Sequence, residues 1–155
     1  MALVNRSEGD VRSYITSSNV SAITWGVTNG MISYTSGGIA AGTFVMLDTS
    51  SALYSDVCQA TSGTLAIGVA LDEPAVGPGV GIQVQISGRA RCKAASAISV
   101  GDRVMVGDST GRVATASAAG ATSLFLVGQA LTAATIINDF VEVQLQIGIS
   151  QNISS

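Results

Sequence analysis

The chain writes VGIQVQI at residues 80–86 and VEVQLQI at residues 141–147. In the first stretch Val80, Ile82, Val84 and Ile86 alternate with Gln83 and Gln85, the period-two pattern of a strand with one buried face and one polar, uncharged face. The agreement extends outward. GVAL at 68–71 returns as GQAL at 128–131, and GTFVML at 42–47 returns as GDRVMV at 101–106. From Ile39 to Ile86 and from Ile98 to Ile147 the landmarks keep one order, so the chain reads as an internal duplication of residues 39–86 and 98–147. Spacing between landmarks drifts slightly, which surface loops absorb because closure entropy grows slowly with loop length.

The remaining apolar runs, among them TFVML, LAIGVAL, DRVMV, RVATA and SLFLVGQAL, are short, rich in Val, Ile and Leu, and separated by Gly, Ser, Thr and Asp. They predict an all-β fold, a compact β-barrel or β-sandwich built from two duplicated β-units. A short helix is expected only around 93–98 and near 118–122. Two copies are too few to stack as a solenoid and are expected to close on each other within one domain spanning residues 27–150.

Residues 1–26 lie outside the duplication and differ in character. Arg6, Glu8, Asp10 and Arg12 are interspersed with isolated apolar residues, the pattern of an extended N-terminal arm. Val11, Tyr14, Ile15, Val20, Ile23 and Trp25 either pack back onto the domain or lie on a partner, as an extended segment with spaced anchors does when it adds a strand to another sheet. Trp25 stands where the arm joins the domain and suits a core plug. Residues 151–155 read as a short tail.

Composition narrows the function classes. Of the 155 residues 47% are hydrophobic and 11% charged, with a formal net charge of -3. Phosphate binding needs clustered cations, so nucleic acid is not an expected partner. Arg89, Arg91 and Lys93, spaced by two, are expected to share one strand face at a solvated or subunit-facing edge. The N-terminus lacks the pattern of a secretory signal, and no stretch has the ~20 apolar residues of a membrane-spanning helix. A soluble protein made in the cytoplasm is therefore expected, with no membrane partner. Cys58 and Cys92 lack the spacing of a metal knuckle and are expected as reduced thiols.

Catalytic chemistry finds little support. The chain has no histidine, which removes the commonest general base and zinc ligand. GDSTG at 107–111 fits the nucleophile-elbow formula, but lies between two strands and reads as a hairpin turn. No phosphate-loop pattern is present, and Asp72 and Glu73 are adjacent, poor geometry for a paired acid and base or a metal site; they read as a surface turn before Pro74. No catalytic residue, cofactor or metal is expected.

One arrangement is familiar. The run AIGVALDEPAVGPGVGIQVQISGRARCKAASAISVGDRVMVGDSTGRVATA, followed by LVGQALTAATIINDFVEVQLQI, resembles the small decoration (cement) proteins of tailed-phage capsids. The resemblance covers about residues 39–147. It implies a non-catalytic virion protein that binds the outer surface of an assembled icosahedral shell, commonly as a homotrimer, and stabilises it. The major capsid protein and the chain itself are then the expected partners, with Val4, Val11, Tyr14, Ile15 and Trp25 as the expected capsid or subunit contacts. The alternative is a non-catalytic adhesion module of a phage tail or fibre; an adhesion site usually displays clustered aromatics, which at 5% are sparse here.

Overall fold

The computed structural model of the protein describes residues 9–18, 20, 24–29, 31–36, 38–50, 56–71, 78–116 and 123–151; along 24–28, 31–36, 123–124 and 149–151 the description is of the backbone. Every regular element among the described residues is a strand. They are β1 (Val11–Thr16), β2 (Thr24–Thr28), β3 (Met31–Ser36), β4 (Phe44–Leu47), β5 (Asp56–Gln59), β6 (Gly68–Ala70), β7 (Gly81–Gln85), β8 (Gly88–Lys93), β9 (Arg103–Val106), β10 (Val113–Thr115), β11 (Ser123–Ala130) and β12 (Phe140–Gln151).

The helical turn expected around 93–98 is not formed. Ala94 instead bridges in parallel to Val113, and Ile98 pairs with Ala134 in two backbone hydrogen bonds of 2.9 and 3.0 Å. Those bonds satisfy the backbone that an isolated turn of helix, with its costly nucleus, would leave to water. The second expected helix, near 118–122, the turn at Asp72 and Glu73, and residues 152–155 lie outside the described residues.

Five strands close a barrel in the order β1-β5-β4-β6-β7. The closing strand is β1, which pairs antiparallel with β7 from Val11 opposite Gln85 to Ile15 opposite Gly81, and in parallel with β5 at Ile15 and Thr16. Part of the segment that reads as an arm is thus a barrel strand, and the expected boundary at residue 27 does not separate it from the domain. A second sheet runs β10-β9-β11-β12-β8, and β2 and β3 form a separate two-stranded ribbon.

Each pairing in the barrel has a counterpart in the second sheet. Phe44 opposite Val69 corresponds to Arg103 opposite Gln129, and Val45 opposite Gly68 to Val104 opposite Gly128. Leu47 opposite Val57 corresponds to Val106 opposite Val113. The parallel pair Thr16–Val57 corresponds to the Ala94–Val113 bridge, which places β8 in the position of β1. For the last strands, Ala70 faces Val84 where Ala130 faces Val143, and Tyr14 faces Ile82 where Cys92 faces Val141. The pairing equivalent of Val84 is therefore Val143, whereas the letter match aligns Val84 with Leu145. The two alignments differ by one pleat, which leaves every side chain on its original face.

The core has two parts. Val20, Ile39, Val45, Val57, Ala70, Ile82 and Val84 fill the barrel, joined by half-buried Tyr14, Cys58, Ile67 and Ile86. Phe44, Ala60, Ala66 and Val69 leave the barrel's outer wall and pack with the inward residues of the second sheet, including Cys92, Val104, Val113, Val127, Val141 and Val143. Adjacent Phe44 and Val45 are both fully buried because β4 presents one face to each core. Backbone bonds complete the joint: the Phe44 amide donates to the Gly111 carbonyl, and the Lys93 amide to the Gly42 carbonyl, each at 2.8 Å.

Candidate functional site

The residues expected to make contacts are distributed unequally. Val11, Tyr14 and Ile15 lie together on β1. Val11 and Tyr14 are half-buried, Tyr14 against the barrel core, while Ile15 is exposed. Since β1 is hydrogen-bonded within its own barrel, its backbone is already engaged by β7 and β5. Trp25 lies on β2 opposite Tyr34, at a register shift in the ribbon. Val4 lies outside the described residues.

The GDSTG segment is the β9–β10 connection, as Val106 opposite Val113 requires. The Asp108 carboxylate accepts hydrogen bonds from the Thr110 amide at 2.8 Å, the Thr110 hydroxyl at 2.9 Å and the Arg112 Nε at 2.6 Å. Partial burial pushes its pKa up, but the Thr110 amide and hydroxyl and the Arg112 guanidinium and amide outweigh that, and it lies below the usual carboxylate range. Arg112 then donates to the Asn138 side-chain oxygen at 2.9 Å, tying this turn to the loop before β12.

That loop has the largest concentration of exposed apolar side chains among the described residues. Ile136 is 63% exposed, Ile137 51% and Phe140 44%. Its backbone is tightly held. The Asp139 carboxylate accepts from the Thr135 amide at 2.9 Å, the Thr135 hydroxyl at 3.0 Å and the Ile136 amide at 3.1 Å, and these donors hold its pKa below the usual range, the Thr135 amide foremost. Asn138 lies in the left-handed region at φ 69°, a conformation Asn tolerates better than most residues. Its amide donates to the Ala94 carbonyl at 2.8 Å, and the Ala94 amide donates back to Asp139 at 2.8 Å. Beside the loop, the Arg91 guanidinium carbon stands 4.0 Å from the Phe140 ring centroid and the Lys93 ammonium 6.0 Å from it. Sequence reading missed this cluster because 124–137 looks like one interrupted apolar run; the signal lies in Asn138 and Asp139, a turn pair that ends it.

The outward face of the second sheet is polar. Arg103, Gln129, Gln144 and Arg89 lie directly opposite one another across four strands, all exposed. Two depressions open here, one lined by Arg103, Gln129 and Gln146, the other by Arg89 and Gln144. Arg89 and Glu142 form an ion pair at 3.3 Å, both about half exposed and so worth little in stability. The basic residues of β8 do share one face, as their spacing predicts: Arg89 and Arg91 are exposed, Lys93 is partly so, and Ala90 and Cys92 between them are buried. Cys58 and Cys92 are both free thiols. Among the described residues no group of three or more His, Cys, Asp or Glu is placed to hold a metal ion.

No curated protein matches the chain. Among solved structures, the N base of the head fiber gp8.5 in bacteriophage phi29 is similar in fold, with a TM-score of 0.50 and 18% sequence identity over 88% of this chain and 93% of that one. The sequence pattern of the phage cement proteins matches residues 27–145, from the middle of β2 into β12. With more than half its length matched, the chain belongs to the phage cement protein family, structural proteins of the phage capsid.

Proposed function

We propose that this protein binds the outer surface of an assembled icosahedral phage shell as a homotrimer and stabilises the shell without catalysing a reaction. The observation that carries the reading is the family match across residues 27–145. Physical chemistry supports it. A polar outer sheet face on which Gln129 and Gln144 lie between Arg103 and Arg89 can form a broad hydrogen-bonded contact. A protein that binds only assembled shell subunits favours assembly by mass action, and three linked copies multiply weak contacts. In this reading the chain is made in the host cytoplasm and its partner is the major capsid protein.

The matching pairings of the two sheets support a further element of the proposal, that a five-stranded unit was duplicated. One copy comprises β1 and β4–β7, with the β2–β3 ribbon inserted, and the other comprises β8–β12.

The test adds purified protein to shells of the encoding phage assembled without it, followed by image reconstruction. Threefold density on the outer surface and a raised shell melting temperature are expected; no binding overturns the reading. A second reading, the base of a fibre fixed to the head, is favoured by the likeness to the phi29 head-fiber base, and density extending outward as a fibre would select it.

A further inference from the structure

We infer that the loop carrying Ile136 and Ile137, with Phe140 and the cations Arg91 and Lys93 beside it, is the docking element for the shell, and that its receptor is an apolar depression rimmed by carboxylates on the capsid subunit. The inference rests on the cement reading and names the surface that serves it.

Two observations carry it. Adjoining isoleucines left 63% and 51% exposed are held in place by a backbone in which the Asp139 carboxylate, the Asn138 amide and the Ile98–Ala134 pair are all engaged. Ordered apolar groups in water are costly to keep and, once ordered, cheap to bind, because little entropy remains to be lost on docking. The charge around them is the second observation. The chain carries a net charge of -3, yet around this loop the cations Arg89, Arg91 and Lys93 outnumber the carboxylates Asp139 and Glu142, the latter paired with Arg89, while Arg112 and Asp108 offset each other. A locally cationic rim around an apolar centre complements an acidic rim around an apolar hollow. Two copies meeting through this surface about a twofold axis would set Arg91 and Lys93 against their own counterparts, which disfavours a twofold contact here; a threefold contact between copies does not meet that repulsion and is the outcome that light scattering tests.

The experiment measures affinity for shells of the encoding phage assembled without the protein, at low and moderate salt, for wild type, Ile136→Ser/Ile137→Ser and Arg91→Gln/Lys93→Gln. All four side chains lie at the surface, and the melting temperature of each variant verifies folding. The isoleucine pair is expected to weaken binding about tenfold or more at both salt concentrations. The cation pair is expected to weaken it chiefly at low salt and to flatten its salt dependence. Wild-type affinity in both variants, with wild type itself bound, overturns this inference and leaves the cement reading standing. Absence of wild-type binding removes both. A change in oligomeric state by light scattering, with affinity per trimer unaltered, makes the surface a subunit interface and also overturns the inference.

Discussion

The Phe44 amide donates to the Gly111 carbonyl at 2.8 Å, so the first residue of a barrel strand is fastened to the tip of a hairpin in the other unit. Gln59 reinforces the joint, its side-chain nitrogen donating to the Thr110 carbonyl at 2.9 Å. The hairpin tip is thus part of the seam between the two cores, and its shape is constrained by what it touches.

Gly111 has φ +74°, and a Cβ added to it would stand 2.5 Å from the Phe44 carbonyl oxygen and 2.9 Å from the Phe44 nitrogen. Gly101 has φ +89° with open space around it. Gly101→Ala is therefore expected to cost only the conformational penalty, about 1 kcal/mol, and Gly111→Ala roughly 2–4 kcal/mol because backbone must also shift. Denaturant unfolding of both variants checks this; equal losses would show that the seam yields freely.

Gln85 is only 8% exposed, and its side-chain nitrogen donates to the carbonyls of Ser87 at 2.9 Å and Arg89 at 2.8 Å, holding the link between β7 and β8. Its pairing counterpart in the second sheet, Gln144, is exposed. Gln85→Ala is expected to destabilise by about 1–2 kcal/mol, since it removes a buried amide that bonds two part-buried carbonyls, and Gln144→Ala by no more than about 0.5 kcal/mol. Melting curves of the two variants make the comparison.

Acid should loosen the Ile136 loop. The Asp139 pKa is lowered in the folded protein, so its contribution is fully present above the unfolded carboxylate value of about 3.9 and is lost as pH falls through the folded value. Asp108 shifts in the same direction and gives the same sign. Relative to its intrinsic rate at each pH, hydrogen exchange at the Thr135 and Ile136 amides is expected to accelerate below about pH 4 and to stay flat across neutral pH. Asp139→Asn, which removes the charge and leaves one acceptor oxygen, should reproduce part of that acceleration at neutral pH. Wild-type protection in the variant would show that the carboxylate does not hold the loop.

The thiols should differ in reactivity. Burial raises the Cys92 pKa far above its usual value, and Cys58 is raised by burial and then by the charge of Asp48. Thiolate is the reactive form, so alkylation at neutral pH is expected to be slow at partly exposed Cys58 and to reach fully buried Cys92 only on unfolding. Mass spectrometry of peptides from alkylated native protein reads both sites.

The strand content and the alternation of β7 and β12 were legible because they depend on local period: Ile82 and Val84, Val141 and Val143 all face a core. The role of β1 was not, since VRSYIT has no run of alternating apolar residues and is specified by its partner β7, distant in sequence. Burial of Gln85 depends on the path of the next three residues, which its own strand pattern does not encode. The one-pleat offset between letter match and pairing is invisible to hydrophobic pattern for a physical reason, because a two-residue slip preserves both faces. The exposed Ile136–Ile137 pair was hidden for the opposite reason: apolar residues read as core until Asp139 and Asn138 are seen to bend the chain around them.

The strand that closes the barrel is the first of its five to leave the ribosome, and its principal partner, β7, is the last. During synthesis β1 must therefore wait while β4, β5 and β6 emerge, and the first barrel can be completed only once Gln85 has been added opposite Val11. The same wait recurs from β8 to β12. The chain thus has two units, a barrel closed by its last strand and a second sheet joined to its first strand by its last, each dominated by contacts distant in sequence, the kind that slow folding. The wall of Phe44, Ala60, Ala66 and Val69, complete only with the barrel, is the surface that the second sheet needs to bury its own inward face.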